Sequence, residues 1–420
     1  MKKRLGIYIH IPFCASKCSY CDFYSLQGCD YIMPDYQEAL LDHIEESSHS
    51  IKNYEVDSIY FGGGTPSYYG ADRIVEIFDT LKLNGNVRLD SEVTVECNPD
   101  SISLTALKLL RAEGVNRLSI GIQASDPNLL KLIGRRHNFL QAQKAFADAR
   151  KAGFDNISVD LMYGLPSQTK SDWAETLSKI VEMHPEHISC YGLKLEPGTR
   201  MYKEYYGSSI LPDDDAQADM YSYAAEMLER YGYKQYEISN FAAPGYESRH
   251  NLKYWNMDDY MSFGPGAHSC IGNVRYSFVK DLKQYIYGVH KKISIVDEYE
   301  QIDPLERAVE YVMLGMRTSR GISEHDYRLR CQCDWKPILK VLQAFKEKGW
   351  VELTEDRWHF TVPGFLISNT LIGIMLETQA SGRIDNTPWI QDADRAAYKI
   401  SLPKGEEELF AELYEQKMNQ

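Results

Sequence analysis

The chain has 420 residues, more than one typical core holds, so it reads as two domains or one large barrel with an appendage. Its 44% hydrophobic and 25% charged residues are those of a soluble globular protein, and a net charge of −14 argues against nonspecific attachment to nucleic acid or anionic membranes. No segment approaches the ~20 apolar residues of a membrane span, and MKKRLGIYIHIP lacks the apolar core of a secretion signal, so the nine cysteines read as reduced, cytoplasmic and in part metal-binding.

The first strand, Leu5–Ile11, runs into a loop carrying Cys14, Cys18 and Cys21. Cys-x3-Cys-x2-Cys offers three thiolates where a 4Fe–4S cube normally takes four, which leaves one iron open to chelate a small molecule. Such an iron serves S-adenosylmethionine (SAM), whose amino and carboxylate groups fill the free site. A structural zinc ion with Cys29 or His10 as fourth ligand is the alternative, but no second Cys knuckle or His pair stands nearby.

Further strands follow at Val56–Phe61, Glu92–Cys97, Arg117–Gln123, Ile157–Tyr163 and Ile188–Leu193. Helix-period stretches lie between them at Tyr36–Ser47, Ala71–Leu81, Leu104–Glu113, Phe139–Ala152 and Asp172–Met183. Six such units predict an α/β fold of parallel strands with right-handed crossovers, an incomplete (β/α)6 TIM-like barrel. Glu96, Gln123 and Asp160 fall at or near the C-terminal ends of their strands, the edge that builds active sites in barrels. The glycines of Gly62-Gly63-Gly64-Thr65-Pro66 let the backbone approach a ligand, and Arg135 can pair with a carboxylate. Each of these alone reads as a satisfied rim residue; together they favour a cofactor.

Asp213-Asp214-Asp215 reads as the start of a helix reaching Tyr231. After Tyr236–Phe241 comes a stretch rich in Gly, Asn and aromatics, containing His250-Asn251-Leu252-Lys253-Tyr254-Trp255 and Gly264-Pro265-Gly266-Ala267-His268-Ser269. Either histidine can ligate heme iron, with Tyr254 and Trp255 flanking a porphyrin, though a lone histidine among aromatics is more often structural. From Asp303 the pattern is helical, ending in a two-stranded wing at Trp350–Leu353 and Arg357–Phe360. The expected division is therefore a barrel core at 1–240, a connecting segment at 241–300 and a winged-helix-like domain at 301–378. A polar tail with an amphipathic helix at Glu406–Gln416 completes the chain at 379–420.

YIHIPFC, CxxxCxYC and GGGTP resemble the radical SAM superfamily, more narrowly its oxygen-independent coproporphyrinogen III oxidase group. The resemblance continues through SIGIQ, GRRH, DLMYGLP, LPDDD, YEISNFA and HNLKYW to GPGAHS, about three quarters of the chain in unbroken order. It implies a cluster on Cys14, Cys18 and Cys21, and SAM contacts from Tyr8, Gly63, Gly64, Thr65, Glu96, Gln123, Arg135 and Asp160, with Tyr20 and Gly192 in addition. Within the group, Phe23 stands where oxidases carry a further cysteine, the oxidases' N-terminal arm is missing, and HNxxYW marks a heme-chaperone branch. The branch implies heme contact by His250, Tyr254 and Trp255, and delivery of heme to an acceptor hemoprotein, soluble or membrane-bound. The alternative function is the oxidase's radical decarboxylation of a porphyrinogen. An electron donor is implied if SAM is cleaved, and a homodimer stays open. Nucleic acid is not expected, since Glu347, Glu352, Glu355 and Asp356 make the C-terminal domain acidic. Ser262, where the group has glycine, and the tail depart from the pattern.

Overall fold

The computed structural model describes residues 2–331 and 334–386; the tail helix expected at Glu406–Gln416 lies outside them. Six parallel strands form first: β1 (Arg4–Ile11), β2 (Glu55–Gly63), β3 (Val87–Cys97), β4 (Arg117–Gln123), β5 (Ile157–Tyr163) and β6 (His187–Gly192), paired in that order. Along each strand every second side chain is apolar and buried under the crossover helices: Ile7 and Ile9, Ile59 and Phe61, Val93 and Val95, Leu118 and Ile120, Val159 and Leu161. The alternate set is polar, including Tyr8, Tyr60, Glu96, Arg117, Ser119 and Asp160. Because β1 and β6 are not neighbours, the sheet curls into an incomplete barrel with that polar set lining its lumen.

The crossover helices begin where capping chemistry allows. The helix expected from Asp172 starts at Lys170, because Thr169 is the N-cap and Asp172 the third helical residue of a reciprocal capping box. Asn138 and Gln141 form a second box, and Asp213 caps the helix Asp214–Arg230 by accepting from the Ala216 N–H at 2.8 Å.

The segment 241–300 does more than connect. After β7 (Lys234–Gln235) and β8 (Asn240–Ala242), which extend the β6 edge, β9 (Tyr260–Phe263) pairs parallel with β1. β10 (His268–Ile271), β11 (Val274–Phe278) and β12 (Val296–Gln301) continue that side antiparallel, so one sheet holds twelve strands. The smaller domain has a three-stranded antiparallel sheet, β13 (Ile322–Ser323), β14 (Val351–Thr354) and β15 (Arg357–Phe360), over its own core of Val312, Trp335, Leu342 and Met375. Its last helix, Ser368–Asn386, runs past the expected boundary at 378. No helix among the described residues is long and apolar enough to cross a membrane.

A helix the sequence pattern did not announce, Arg249–Asn256, enters the base of the barrel. Ser248 caps it through the Asn251 N–H, and Glu92 on β3 accepts the N–H groups of Arg249 and His250, each at 3.0 Å. Lys253 pairs with Asp57 of β2 at 2.7 Å, passing so close over Gly6 that a Cβ there would lie 2.6 Å from its Cδ. Replacing Glu92 with Ala strands two N–H donors at a helix start, one buried and one half-buried, and should lower unfolding free energy by about 2–4 kcal/mol. Denaturant titration of the purified chain checks this; a loss under about 0.5 kcal/mol would show that the cap is dispensable.

Candidate functional site

The cluster loop is strapped down by backbone pairing. Cys14 N–H donates to Leu26 O and Leu26 N–H to Pro12 O, while Ser19 N–H reaches Ile133 O at 3.1 Å. Gly64 and Thr65 donate to the carbonyls of Ile11 and Phe13 at 2.7 and 2.8 Å. A Cβ on Gly64 would lie 2.7 Å from both of those oxygens, so only glycine lets the GGGTP turn close on the cysteine loop.

Cys14, Cys18 and Cys21 all line one cavity of about 320 Å3 at the C-terminal ends of the strands. The three are free thiols, and burial raises Cys14 and Cys21. Thr65 Oγ1 lies 3.4 Å from Cys14 Sγ, and Arg135 Nη1 lies 3.6 Å from Cys18 Sγ. Among the described residues no three His, Cys, Asp or Glu groups close on a single ion. Neither proposed fourth zinc ligand joins the thiols: His10 has its ring nitrogens against Tyr24 O and Tyr8 OH, and Cys29 lies outside the cavity lining. Three thiols spread around a cavity wall fit the corners of a 4Fe–4S cube. Cys97, at the end of β3, also borders this cavity while packing into the core under the helices; Cys190 and Cys270 are buried elsewhere.

Tyr20, Gly63, Gly64, Thr65, Glu96, Gln123, Arg135 and Asp160 line the same cavity. Gln123 sits at φ 70° where the β4–β5 register slips, a bulge that re-aims its side chain. Arg135 also donates to Gly121 O, over a glycine whose Cβ would collide with the guanidinium. Burial raises the Glu96 carboxyl to about 7, although Tyr60 donates to it at 2.8 Å. Burial also raises Asp160, against hydroxyl donors from Ser119 and Ser189 at 2.9 and 2.7 Å.

Two expected SAM residues are not brought there. The Tyr8 ring turns under the cavity against Tyr60, with its hydroxyl 3.2 Å from His10 Nδ1, and Gly192 lies at the rim against Tyr163. The cavity's floor was not foreseen: Tyr60, Arg117, Ser119, His187, Ser189, Tyr191 and Asn251. Alternation was the available signal, since Arg117, Ser119, Gly121 and Gln123 occupy every second place of β4. The Arg117 guanidinium is 1% exposed and lowers the Glu96 and Asp160 carboxyls from within the lumen.

None of the residues expected to contact heme lines this cavity. His250 is 1% exposed inside the ring of strands, with Nδ1 3.0 Å from Ser58 Oγ and Nε2 2.8 Å from Tyr254 OH. Burial lowers its pKa to about 3, so the ring is neutral and both nitrogens are engaged. Neither faces an external iron. Tyr254 is occupied by the same bond, and Trp255 borders a small cleft beside Tyr311, Arg320 and Arg357 of the C-terminal domain. His268, at the start of β10, is exposed.

A glycine-backed three-thiol loop at the mouth of an incomplete parallel barrel, over carboxylate, amide and guanidinium groups, defines a radical SAM protein. The radical SAM superfamily profile matches residues 8–180, and that of the HemN C-terminal domain matches residues 302–367. The chain is 35% identical over 372 residues to the heme chaperone HemW of Bacillus subtilis strain 168, covering 88% of this chain and 98% of that one. It is 31% identical over 384 residues to the Escherichia coli K12 heme chaperone HemW, covering 89% and 98%. The chain belongs to the HemW family of radical SAM proteins. Its fold matches coproporphyrinogen III oxidase HemN of Escherichia coli with a TM-score of 0.78 at 24% identity, over 89% of this chain and 90% of that one.

Cys18→Ala should abolish the cluster, since two thiolates do not retain a cube with an open iron, whereas Cys97→Ala should keep it. Iron and sulfide analysis after anaerobic reconstitution checks both; full iron in Cys18→Ala would contradict the assignment.

Proposed function

We propose that this protein is a cytoplasmic heme chaperone that holds a 4Fe–4S cluster and SAM, binds heme, and passes it to an acceptor hemoprotein. The observation that carries the cofactor half is the single cavity shared by the three thiols and eight of the expected SAM residues. The heme half is supported by end-to-end likeness to relatives named heme chaperones. A cluster held by Cys14, Cys18 and Cys21 supplies an open iron for the amino-acid end of SAM and a single electron to its sulfonium. Around it, Arg135 fits a carboxylate, while Glu96 and Asp160 fit hydroxyl and amino donors.

Phe23 stands 64% exposed on the cluster loop and lines the cavity, an apolar side chain where the oxidases place a further cysteine. This supports binding over decarboxylation of a porphyrinogen. Of the two motif histidines, His268 is the one the fold leaves open to iron; ligation by His250 would require its helix to withdraw from the barrel.

The test is anaerobic reconstitution, heme titration, and an assay for conversion of coproporphyrinogen III. Heme should bind with a defined Soret band that shifts in His268→Ala and not in His250→Ala, without useful turnover. Robust decarboxylation would instead establish the oxidase reading.

Because Glu96 titrates near 7, its charge grows between pH 6 and 8. SAM carries a cationic sulfonium and amino group, so its affinity should rise several-fold across that window. A flat profile in the wild type would remove Glu96 from SAM recognition; in Glu96→Gln the profile should be flat.

A further inference from the structure

The His250 ring sits at the centre of a contact chain that ends on Glu96. Ser58 Oγ and Tyr254 OH hold its two nitrogens at 3.0 and 2.8 Å. Its face stacks on the Tyr60 ring with centroids 5.2 Å apart and planes at 27°. Tyr8 packs against both rings, 6.2 Å from Tyr60 and 6.5 Å from His250. The Tyr60 hydroxyl donates to Glu96 Oε1 at 2.8 Å. One flat surface of the phenol is therefore set by an imidazole that cannot turn without losing two hydrogen bonds.

The helix that carries His250 is itself fixed at both ends. Glu92 takes its first N–H groups inside the barrel, and Lys253 pairs with Asp57. At the far end Arg320 of the C-terminal domain donates to Asn256 Oδ1 at 3.1 Å. The helix Arg249–Asn256, which holds HNxxYW, thus bridges the smaller domain and the floor of the cofactor cavity.

We propose that His250 is a positioning residue for Glu96, acting through Tyr60, and that HNxxYW thereby sets the affinity of the cavity for SAM. The proposal rests on Glu96 being a SAM contact. Physically, a hydrogen bond weakens steeply as its angle opens, and one to a desolvated carboxylate is among the stronger kinds. Glu96 is half-buried at the cavity wall, held by the Tyr60 hydroxyl and the Gly63 N–H, so a change in the direction of the Tyr60 hydroxyl changes which carboxylate oxygen is left for a ligand. A neutral, doubly anchored imidazole is suited to hold that direction, because it brings no competing charge. A helix that merely plugged the barrel would need apolar bulk at this place rather than a ring bonded on both sides.

The experiment is a SAM titration of the reconstituted full chain, read from the perturbation of the cluster's spectrum, with iron content and circular dichroism as controls. Tyr60→Phe, which removes one hydroxyl, should weaken SAM binding by about tenfold or more, and His250→Gln and Tyr254→Phe by about three- to tenfold, with the cluster retained. In a Tyr60→Phe background, adding His250→Gln should cost less than about twofold more, since its effect passes through the tyrosine. Independent, multiplying losses would show mere packing and overturn the proposal. So would unchanged SAM affinity in folded Tyr254→Phe or His250→Gln, above all with a displaced heme Soret band in His250→Gln. If Glu96→Gln leaves SAM binding intact, the SAM reading of Glu96 fails first and the proposal falls with it.

Discussion

The arrangement depends on one contact: the Glu92 carboxylate receiving the N–H groups of Arg249 and His250. A helix N-terminus carries two kinds of unmet demand, unpaired donors and a partial positive charge, and a buried carboxylate answers both. Through it, a segment 157 residues distant in sequence is locked into the base of the parallel barrel. Everything above that floor inherits its rigidity: the stacked rings of His250, Tyr60 and Tyr8, the Tyr60 bond to Glu96, and the cavity the thiols share.

The lumen is costly to build. Burial raises Glu96 and Asp160, and only hydroxyl donors and the nearby Arg117 charge offset that cost for Asp160. Packing alone would fill such a lumen with branched aliphatic side chains, as barrels without an interior ligand do. Polar groups held away from water, each aimed inward from a different strand, are retained where a ligand replaces the water. The outer faces of the same strands supply the apolar burial that offsets this expense.

Much of this was legible in the sequence. Period-two apolar runs located β4 and β5 to the residue, and the spacing of Cys14, Cys18 and Cys21 named the cluster loop without knowledge of the fold. The ends of the strands located Glu96, Gln123 and Asp160. What escaped was set by contacts distant in sequence. The helix Arg249–Asn256 begins with two residues whose donors are met by Glu92 on another strand, so no local cap-and-period signal announced it in full. The same distance hid the surroundings of His250: the sequence offered Tyr254 and Trp255 beside it, whereas the fold adds Ser58 and the stacked Tyr60 of β2. Tyr8 came from the family resemblance alone, which gives no depth in the lumen; its ring packs on Tyr60 outside the cavity lining.

The central claim is that three thiols hold a cube whose fourth iron is reserved for SAM. Electron–nuclear double resonance on the reduced, reconstituted protein with SAM carrying 15N at its amino group tests it most directly. A hyperfine coupling from that nitrogen to the cluster, lost in Cys21→Ala together with the cluster, is the expected result. A cluster signal with no coupling to bound SAM would contradict the account.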